Sequence, residues 1–513
     1  MRTIKYSTIG CLILGLVLAA CSKQLNQQPP SSITTTQFYS NTNDFTQAVT
    51  GVYNQLRAYP DQALWMGEMR SDNINAASDG NRDWQGINDF SPNLTAVTFV
   101  NTGWDNNFNG IYNANSVLDN LAAKGANVTD PTLRARFGAE CHFLRAFYYF
   151  QLVRLYGGVP IIDHVMSSSD VAKVKRSPVS DVYKLIISDL QKAIDSLPAS
   201  YTGADVGRAT SLAAKGLLGL VYLTRSGPVY AGVDGPTQGS NEWDLALAQF
   251  NDIINSGKFT FGASYPAIFS YTGENNPEVI FDVQYMSTNN GADFPSQLTP
   301  LGYWGGVGIS GTYSNGYGSC TFDISKNLRA SYLNSAAGAV DVRDTFNIQF
   351  KYNTTTAAPI QTDTSDPFIK KYINITKRGT DYKDWPINFI VMRYTDVLMM
   401  KAECILNGAT SGGTAADALA IVNQVRQRAG VPALASVDMP ALMEERRREF
   451  LGEGLRWNDL VREGMAVTTM NNWVAGDSLT NVATVVPQYV IYPVPTAEIL
   501  AASGLYTQNG GYH

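Results

Sequence analysis

Charge is scarce in this chain, with a small acidic excess. Asp, Glu, Lys and Arg together make up 16% of the 513 residues, and the formal net charge is −6 at pH 7. Nucleic acid binding requires a basic face that neutralises phosphates, so we expect no nucleic acid partner. The low charge and the 27 tyrosines favour contact with uncharged polar molecules.

Histidines and phosphate-binding loops are also sparse. The sequence holds three histidines, His142, His164 and His513, and they show no metal-ligand spacing. No glycine-rich loop followed by Lys-Ser or Lys-Thr is present to hold a phosphate. Glycosidases need two carboxylates held across the scissile bond, and no motif singles out such a pair among the 44 acidic residues. The sequence therefore predicts no catalytic centre, no cofactor and no metal site.

The five cysteines show no paired disulfide framework. Cys141 and Cys404 fall on apolar faces of predicted helices. A thiol in that setting usually behaves as a small buried hydrophobic side chain. We therefore expect both side chains in the core.

The first residues contain the one long apolar run. Two basic residues precede an uncharged apolar segment over 9–18, which is followed by Ala-Ala-Cys21. This pattern is typical of a secretory signal peptide, and a cysteine after two small residues is the lipid-acceptor pattern of bacterial lipoproteins. We expect cleavage of residues 1–20, lipidation of Cys21 and a polar tether over 21–40. An ordinary signal peptide with a coincidental cysteine is the alternative. No other run reaches the ~18 apolar residues that a spanning helix needs.

Apolar periodicity predicts that helices dominate the rest of the chain. Seven apolar positions between 133 and 155 are spaced three or four apart, which is one continuous helical stripe. Gly157-Gly158 with Pro160 behind them predict its end. The predicted helices span 44–58, 104–124, 132–156, 179–197, 211–225, 243–256, 394–406, 415–428 and 440–462.

Four of these helices form two similar antiparallel pairs, 211–225 with 243–256 and 394–406 with 415–428. Their second helices share a local pattern that begins Ala-Leu-Ala, and small residues let helices approach closely. Such pairs are typical of tetratricopeptide-like repeats. Because the pairs have no fixed period, we predict a mainly α fold with irregular repeats, long loops and short β-hairpin insertions.

Two insertions and one charged run interrupt the helical pattern. Residues 273–320 begin with a predicted strand at 279–283, and residues 341–390 contain a strand-like piece at 368–376. Long unpatterned connections are often functional. The run from Glu444 to Glu449 resembles a basic patch, but charges four residues apart on a helix pair with each other. We therefore interpret it as structural, with Glu444 paired to Arg448.

The helix that ends near residue 156 also carries a family resemblance. Residues 139–150 (AECHFLRAFYYF) followed by 155–160 (LYGGVP) closely resemble the SusD/RagB family signature. The resemblance spans essentially the whole chain after the signal segment. Further similar stretches, in the expected order, lie at 25–30, 48–53, 104–118, 208–223, 393–403, 445–460, 492–498 and 508–512.

The resemblance implies a surface-exposed outer-membrane lipoprotein in which residues 41–513 form a single SusD-like domain. Members of the family bind oligosaccharides or other small nutrients and cover a SusC-like TonB-dependent transporter. One departure concerns transfer of the protein to the outer leaflet of the membrane. Many surface lipoproteins of this kind carry acidic residues after the lipidated cysteine, whereas Ser22-Lys23-Gln24-Leu25 has none.

Sugar recognition needs aromatic rings that stack on pyranose C–H faces, with polar side chains around them for the hydroxyls. Two regions have this composition, and they occupy the places where the family's ligand loops lie. The alternative is that Trp84 and Trp304 fill packing holes, and Trp104 is expected in the core. The predicted ligand-binding residues are Asp72, Asn73, Arg82 and Trp84 in the first region and Tyr303, Trp304, Tyr313 and Tyr317 in the second.

Three functions are compatible with these observations. The first is a non-catalytic lipoprotein that binds a glycan or another nutrient and passes it to the transporter. The second is an envelope glycoside hydrolase. The third is a helical-repeat scaffold whose only partner is protein.

Overall fold

The computed structural model describes residues 38–77, 82, 84–288, 290–309, 321–333, 340–379, 381–502 and 504–513. Cys21, Tyr313 and Tyr317 lie outside the described residues, as do the predicted signal segment and most of the tether. No helix among the described residues has the length and hydropathy to cross a membrane.

Helices dominate the described chain, as predicted. Eight of the nine predicted segments each correspond to one labelled helix, most of them within a few residues at each end. The labelled helices are α1 Thr42–Asn54, α2 Thr98–Lys124, α3 Pro131–Tyr156, α4 Val179–Ser196, α5 Ser211–Ser226, α6 Trp243–Asn255, α7 Tyr394–Leu406, α8 Ala415–Ala429, α9 Met439–Glu449, α10 Arg456–Arg462 and α11 Ala466–Gly476. Shorter helical segments are Gln55–Ala58, Tyr59–Asp61, Gln62–Glu68, Gln85–Asn88, Gly125–Asn127, Ser168–Val171, Gly203–Asp205, Tyr265–Ile268, Phe294–Gln297, Leu301–Gly306, Lys326–Leu333, Val342–Asn347, Ile375–Lys377, Pro487–Val490 and Thr496–Ala501.

Helix α3 is the central element. Asp130 caps its start by accepting hydrogen bonds from the backbone N–H groups of Thr132 and Leu133, and Gly157 ends it with φ of +72°. A single apolar stripe was expected, but every residue from Phe143 to Tyr156 is buried. A helix buried on all sides lies in the core of the protein. Cys141, on this helix, and Cys404 are both buried as predicted, and burial raises the pKa of each thiol.

The two predicted helix pairs form. Helix α5 packs on α6, α7 packs on α8, and α6 also packs on α7. Only the first alanine of each shared pattern is buried, Ala246 and Ala418, whereas Ala248 and Ala420 are exposed. Close approach of α6 to α5 depends on Gly219, because a Cβ there would lie 2.5 Å from the ring of Phe250.

The prediction of one helix over 440–462 is wrong. Helix α9 ends at Glu449, and α10 begins at Arg456. Gly452 and Gly454 lie between them with φ of +81° and +72°, a conformation that a helix cannot contain. The charged run itself is structural as predicted: Glu445 to Glu449 are buried, and Glu444 and Arg448 approach to 3.7 Å.

The strands are short and pair in twos. The predicted strand at 279–283 is confirmed, whereas only two residues of 368–376 are extended. The strands are β1 Ile74–Ala77, β2 Val159–Pro160, β3 Arg176–Ser177, β4 Val279–Val283, β5 Thr321–Ile324, β6 Ile348–Gln349, β7 Tyr352–Asn353, β8 Thr362–Asp363, β9 Phe368–Ile369 and β10 Phe389–Arg393. The antiparallel pairs are β1 with β5, β2 with β3, β4 with β10, β6 with β9 and β7 with β8.

Candidate ligand site

The β1–β5 ladder joins the two regions that the sequence analysis singled out. Ile74 is opposite Ile324, and Ala77 is opposite Thr321. The backbone N–H of Ser325 donates to the carbonyl of Asn73 at 2.9 Å, which extends the ladder by one bond. The chain therefore leaves β1 and enters β5 at one point of the structure, so the first region begins where the second ends.

One buried guanidinium holds both loop bases. Arg447 of α9 donates to the carbonyl of Asp72 at 2.6 Å and to the side-chain oxygen of Asn73 at 2.8 Å. The same guanidinium donates to the side-chain oxygen of Asn327, beyond β5, at 2.6 Å. Charge-assisted bonds of this kind are roughly twice as strong as neutral ones. Arg447 thus fixes the point where the two regions meet.

Asp72 and Asn73, both predicted as ligand contacts, are buried with these partners. Arg456 binds the Asp72 carboxylate with two bonds of 2.8 and 3.0 Å. Burial would raise the pKa of Asp72, but Arg447 and Arg456 together lower it to about 2. Asn73 donates to Glu68 at 2.6 Å. The observed contacts of both residues therefore stabilise the loop bases, and direct contact with a ligand stays a prediction.

A cluster of four aromatic rings lies at the same place; we call it the loop-base cluster, and it consists of Trp65, Trp84, Phe99 and Phe322. Trp65 stacks on Phe99 with centroids 4.5 Å apart, and Trp84 lies 4.8 Å from Phe322. Trp84 is 4% exposed. Trp84 therefore fills a packing hole in this structure, which was the alternative interpretation, and its contact with a ligand stays a prediction.

Tyr303 and Trp304 are also buried rather than open. Tyr303 contacts Phe368 at 5.1 Å, and Trp304 contacts Trp385 at 6.1 Å. The glycines after them permit this packing: a Cβ at Gly306 would lie 1.4 Å from the carbonyl oxygen of Asn353. Trp304 therefore also fills a packing hole, and ligand contact by Tyr303 and Trp304 stays a prediction. The backbone N–H of Ile324 in β5 donates to the carbonyl of Pro367 at 2.9 Å, so Phe368 and Tyr303 flank the same ladder.

Of the predicted residues that the structure describes, Arg82 has an exposed side chain. It follows β1 by five positions and precedes Trp84 of the loop-base cluster.

Sequence reasoning missed a polar chain beside the cluster. The indole N–H of Trp65 donates to Gln297 at 2.6 Å, and the Gln297 amide donates to Asp61 at 2.6 Å. Burial and the neighbouring Asp293 raise the pKa of Asp61 to about 7. A carboxyl of this kind can both donate to and accept from a hydroxyl near neutral pH. No motif marks Asp61, since its partners lie more than 230 positions away.

Comparison with known proteins identifies the family. Residues 23–223 match the SusD-like_3 family, described as "Starch-binding associating with outer membrane", and residues 316–512 match SusD_RagB, described as "SusD family". The chain belongs to the SusD/RagB family. This confirms the resemblance that the sequence carries.

Relatives of this SusD/RagB chain match it over most of its length. SusD-like protein P38 of Formosa agariphila is 27% identical over 92% of this chain and 94% of its own. The starch-binding protein SusD of Bacteroides thetaiotaomicron is 24% identical over 84% of this chain and 82% of its own. The structure of a laminarin-binding SusD-like protein superposes with a TM-score of 0.74 at 25% identity, covering 92% of this chain and all of that one.

Proposed function

We propose that this SusD/RagB protein is a non-catalytic lipoprotein that captures an oligosaccharide and passes it unaltered to a SusC-like TonB-dependent transporter. The observation that carries the proposal is the β1–β5 ladder. It brings the bases of two loops rich in aromatic and hydroxyl-binding residues to one point. The laminarin-binding and starch-binding relatives support a glycan as the ligand class.

In this proposal the ligand lies above β1 and β5. Arg82 contacts hydroxyl groups of the sugar, and Tyr313 and Tyr317 remain predicted contacts of the second loop. Trp84, Tyr303 and Trp304 are closed in the structure, so any stacking on them requires their neighbours to move. Asp72 and Asn73 act beneath the ligand through Arg447.

Calorimetry with laminarin oligosaccharides, malto-oligosaccharides and an acidic polysaccharide tests the ligand class. We expect binding of a neutral glycan and a loss of affinity of about tenfold in Arg82→Ala, the size of one good hydrogen bond to a charged group. Arg134→Ala is the matched control, because Arg134 is exposed on α3, far along the chain from the loops. Absence of binding to every member of the panel would contradict glycan binding.

The membrane and transporter parts of the proposal have their own test. We expect Cys21→Ala to release the protein from outer membranes, because the lipid acceptor is lost. Affinity capture of the wild-type protein from solubilised outer membranes should co-purify a transporter barrel. Capture of an unrelated assembly instead would favour the scaffold function.

The Asp61 carboxyl is an observation that favours a hydrolase. General acids in glycosidases need a raised pKa and a second carboxylate nearby, and Asp61 has both features through Asp293. Under the binding proposal, incubation with a bound glycan yields no shorter products. Turnover that Asp61→Asn abolishes would overturn the non-catalytic assignment.

A further inference from the structure

Open aromatic surface lies away from the loops. Among the described residues, Tyr112 is the one Phe, Trp or Tyr whose side chain is exposed rather than half-buried or buried, with an exposed fraction of 55%. It lies on α2, whose first turn contributes Phe99 to the loop-base cluster. Stacking on a sugar requires ring area that is exposed before the ligand binds. Tyr112 meets that requirement in the unbound protein.

Tyr112 lines a groove of about 240 Å³, together with three other aromatic, two polar and five aliphatic residues. Trp104, Phe108 and Tyr112 are four residues apart and therefore share one face of α2. Trp104 lies 5.0 Å from Phe108 and 6.5 Å from Tyr506, which closes the floor. We call this site the Tyr112 groove; its lining includes Trp104, Phe108, Asn109, Tyr112, Glu498 and Tyr506.

Polar side chains lie at the edge of these rings. Asn109 is exposed on α2, and Glu498 is half-buried and interacts with the Trp104 side chain. Burial raises the pKa of Glu498, and the charge of Asp105 raises it further. An apolar ligand would desolvate this carboxyl without replacing its hydrogen bonds, which is costly. A ligand with hydroxyl groups satisfies both Glu498 and Asn109.

The Tyr112 groove is separate from the loops. Phe99 and Phe108 are nine residues apart, so at 3.6 residues per turn they point to opposite sides of α2 and lie roughly 14 Å apart along its axis. A ligand in the groove therefore does not contact the loop-base cluster. The volume fits one sugar ring rather than an extended chain, since drug-sized ligands occupy pockets of about 300 Å³ or more.

We infer that the Tyr112 groove is a second carbohydrate-binding site, which holds one pyranose ring stacked on Tyr112 with its hydroxyls bound to Asn109 and Glu498. The inference takes its ligand class from the proposed function, and its location from the groove alone. A second contact on the same polysaccharide raises affinity for long chains through effective concentration, without a stronger individual contact.

The test is calorimetry of the full-length protein with a laminarin trisaccharide and with laminarin polymer. We expect about two trisaccharide sites per wild-type molecule and one in Tyr112→Ala. Affinity for the polymer should fall at least tenfold in that variant, and Glu498→Gln should weaken the groove site while keeping its shape. Leu245→Ala is the matched control, because Leu245 is an apolar side chain that is 50% exposed on another helix.

The outcomes separate this inference from the proposed function. Binding that Tyr112→Ala leaves unchanged, but Arg82→Ala reduces, overturns the groove site and leaves the loop site standing. Loss in Tyr112→Ala alone supports the groove and overturns the loop site. Absence of binding by the wild type to every glycan of the calorimetry panel overturns both. If Tyr112→Ala reduces co-purification of the transporter but leaves glycan binding unchanged, the inference is also overturned, because the groove would then bind protein.

Thermal melting confirms that each variant is folded.

Discussion

Two aromatic clusters lie on opposite faces of α2, and they differ in what their rings contact. In the loop-base cluster, Trp65 and Trp84 cover each other together with Phe99 and Phe322. In the Tyr112 groove, the floor is closed but the ring of Tyr112 is open. Ring area that is already covered stabilises the fold, whereas open ring area is available to a ligand. The first cluster therefore supports the bases of two loops, and the second offers an open ring on which a ligand can stack.

The acidic side chains of the two regions also differ, in how fully they are paired. Under the loops, Arg447 and Arg456 lower the pKa of Asp72 despite its burial. In the groove, the pKa of Glu498 is raised by burial and by Asp105. A carboxylate that is fully paired contributes to stability, whereas an underpaired one costs stability and keeps hydrogen-bonding capacity for a ligand.

The largest expected difference between the clusters is in stability. We expect Trp65→Ala to lower the free energy of unfolding by about 3–5 kcal/mol, because it leaves a cavity among packed rings and removes the partner of Gln297. Tyr112→Ala should change it by less than about 0.5 kcal/mol, as at other exposed positions. Denaturant unfolding followed by circular dichroism measures both. Similar losses in the two variants would mean that the groove is also a structural core.

A second difference concerns the arginines of α9. We expect Arg447→Gln and Arg446→Gln each to cost about 3 kcal/mol, since each breaks a buried ion pair. Hydrogen exchange should distinguish them: only Arg447→Gln should speed exchange in peptides that cover β1 and β5, because Arg446 binds Asp396 and Asp459 instead. Equal exchange at the ladder in both variants would show that Arg447 has no special role there.

The helical part of the fold could be predicted well because its signal is local. The spacing of apolar residues predicts α3, and Gly157-Gly158 predict its end. The break between α9 and α10 was also present in the sequence, in Gly452 and Gly454, but the apolar pattern on both sides concealed it.

The site could be predicted only as two regions of suitable composition. Their meeting depends on β1 and β5, two four-residue strands that lie about 250 positions apart and carry no periodic signal. The burial of Asp72 could not be predicted either, because its arginine partners lie more than 370 positions away. Tyr112 was missed for the opposite reason: its spacing from Trp104 and Phe108 is typical of a core stripe.

The smallest expected effect is on the pH dependence of stability, and it compares the carboxyls of Glu498 and Asp72. A raised folded-state pKa means that the folded protein binds the proton more tightly than the unfolded chain, so stability falls as pH rises from the ordinary glutamate value, about 4.3, through the raised pKa. Glu498→Gln removes this cost. The free energy of unfolding of Glu498→Gln, relative to that of the wild type, should therefore be greater at pH 7 than at pH 4, by up to about 0.5 kcal/mol. Asp72 has the opposite sign, since its pKa of about 2 adds stability above pH 4 that is lost as pH falls toward 2.

Thermal melts of wild type and Glu498→Gln at pH 4 and pH 7 measure this difference. Asp105→Asn should give a change of the same sign, because it removes the charge next to Glu498 and also the cost of burying Asp105, whose own pKa burial raises. A Glu498→Gln variant that is less stable than wild type at pH 7 would show that the carboxylate stabilises the fold. Greater stability with weaker glycan binding would instead mean that Glu498 is retained for its ligand at a cost to the fold, which is the relation expected of a binding residue.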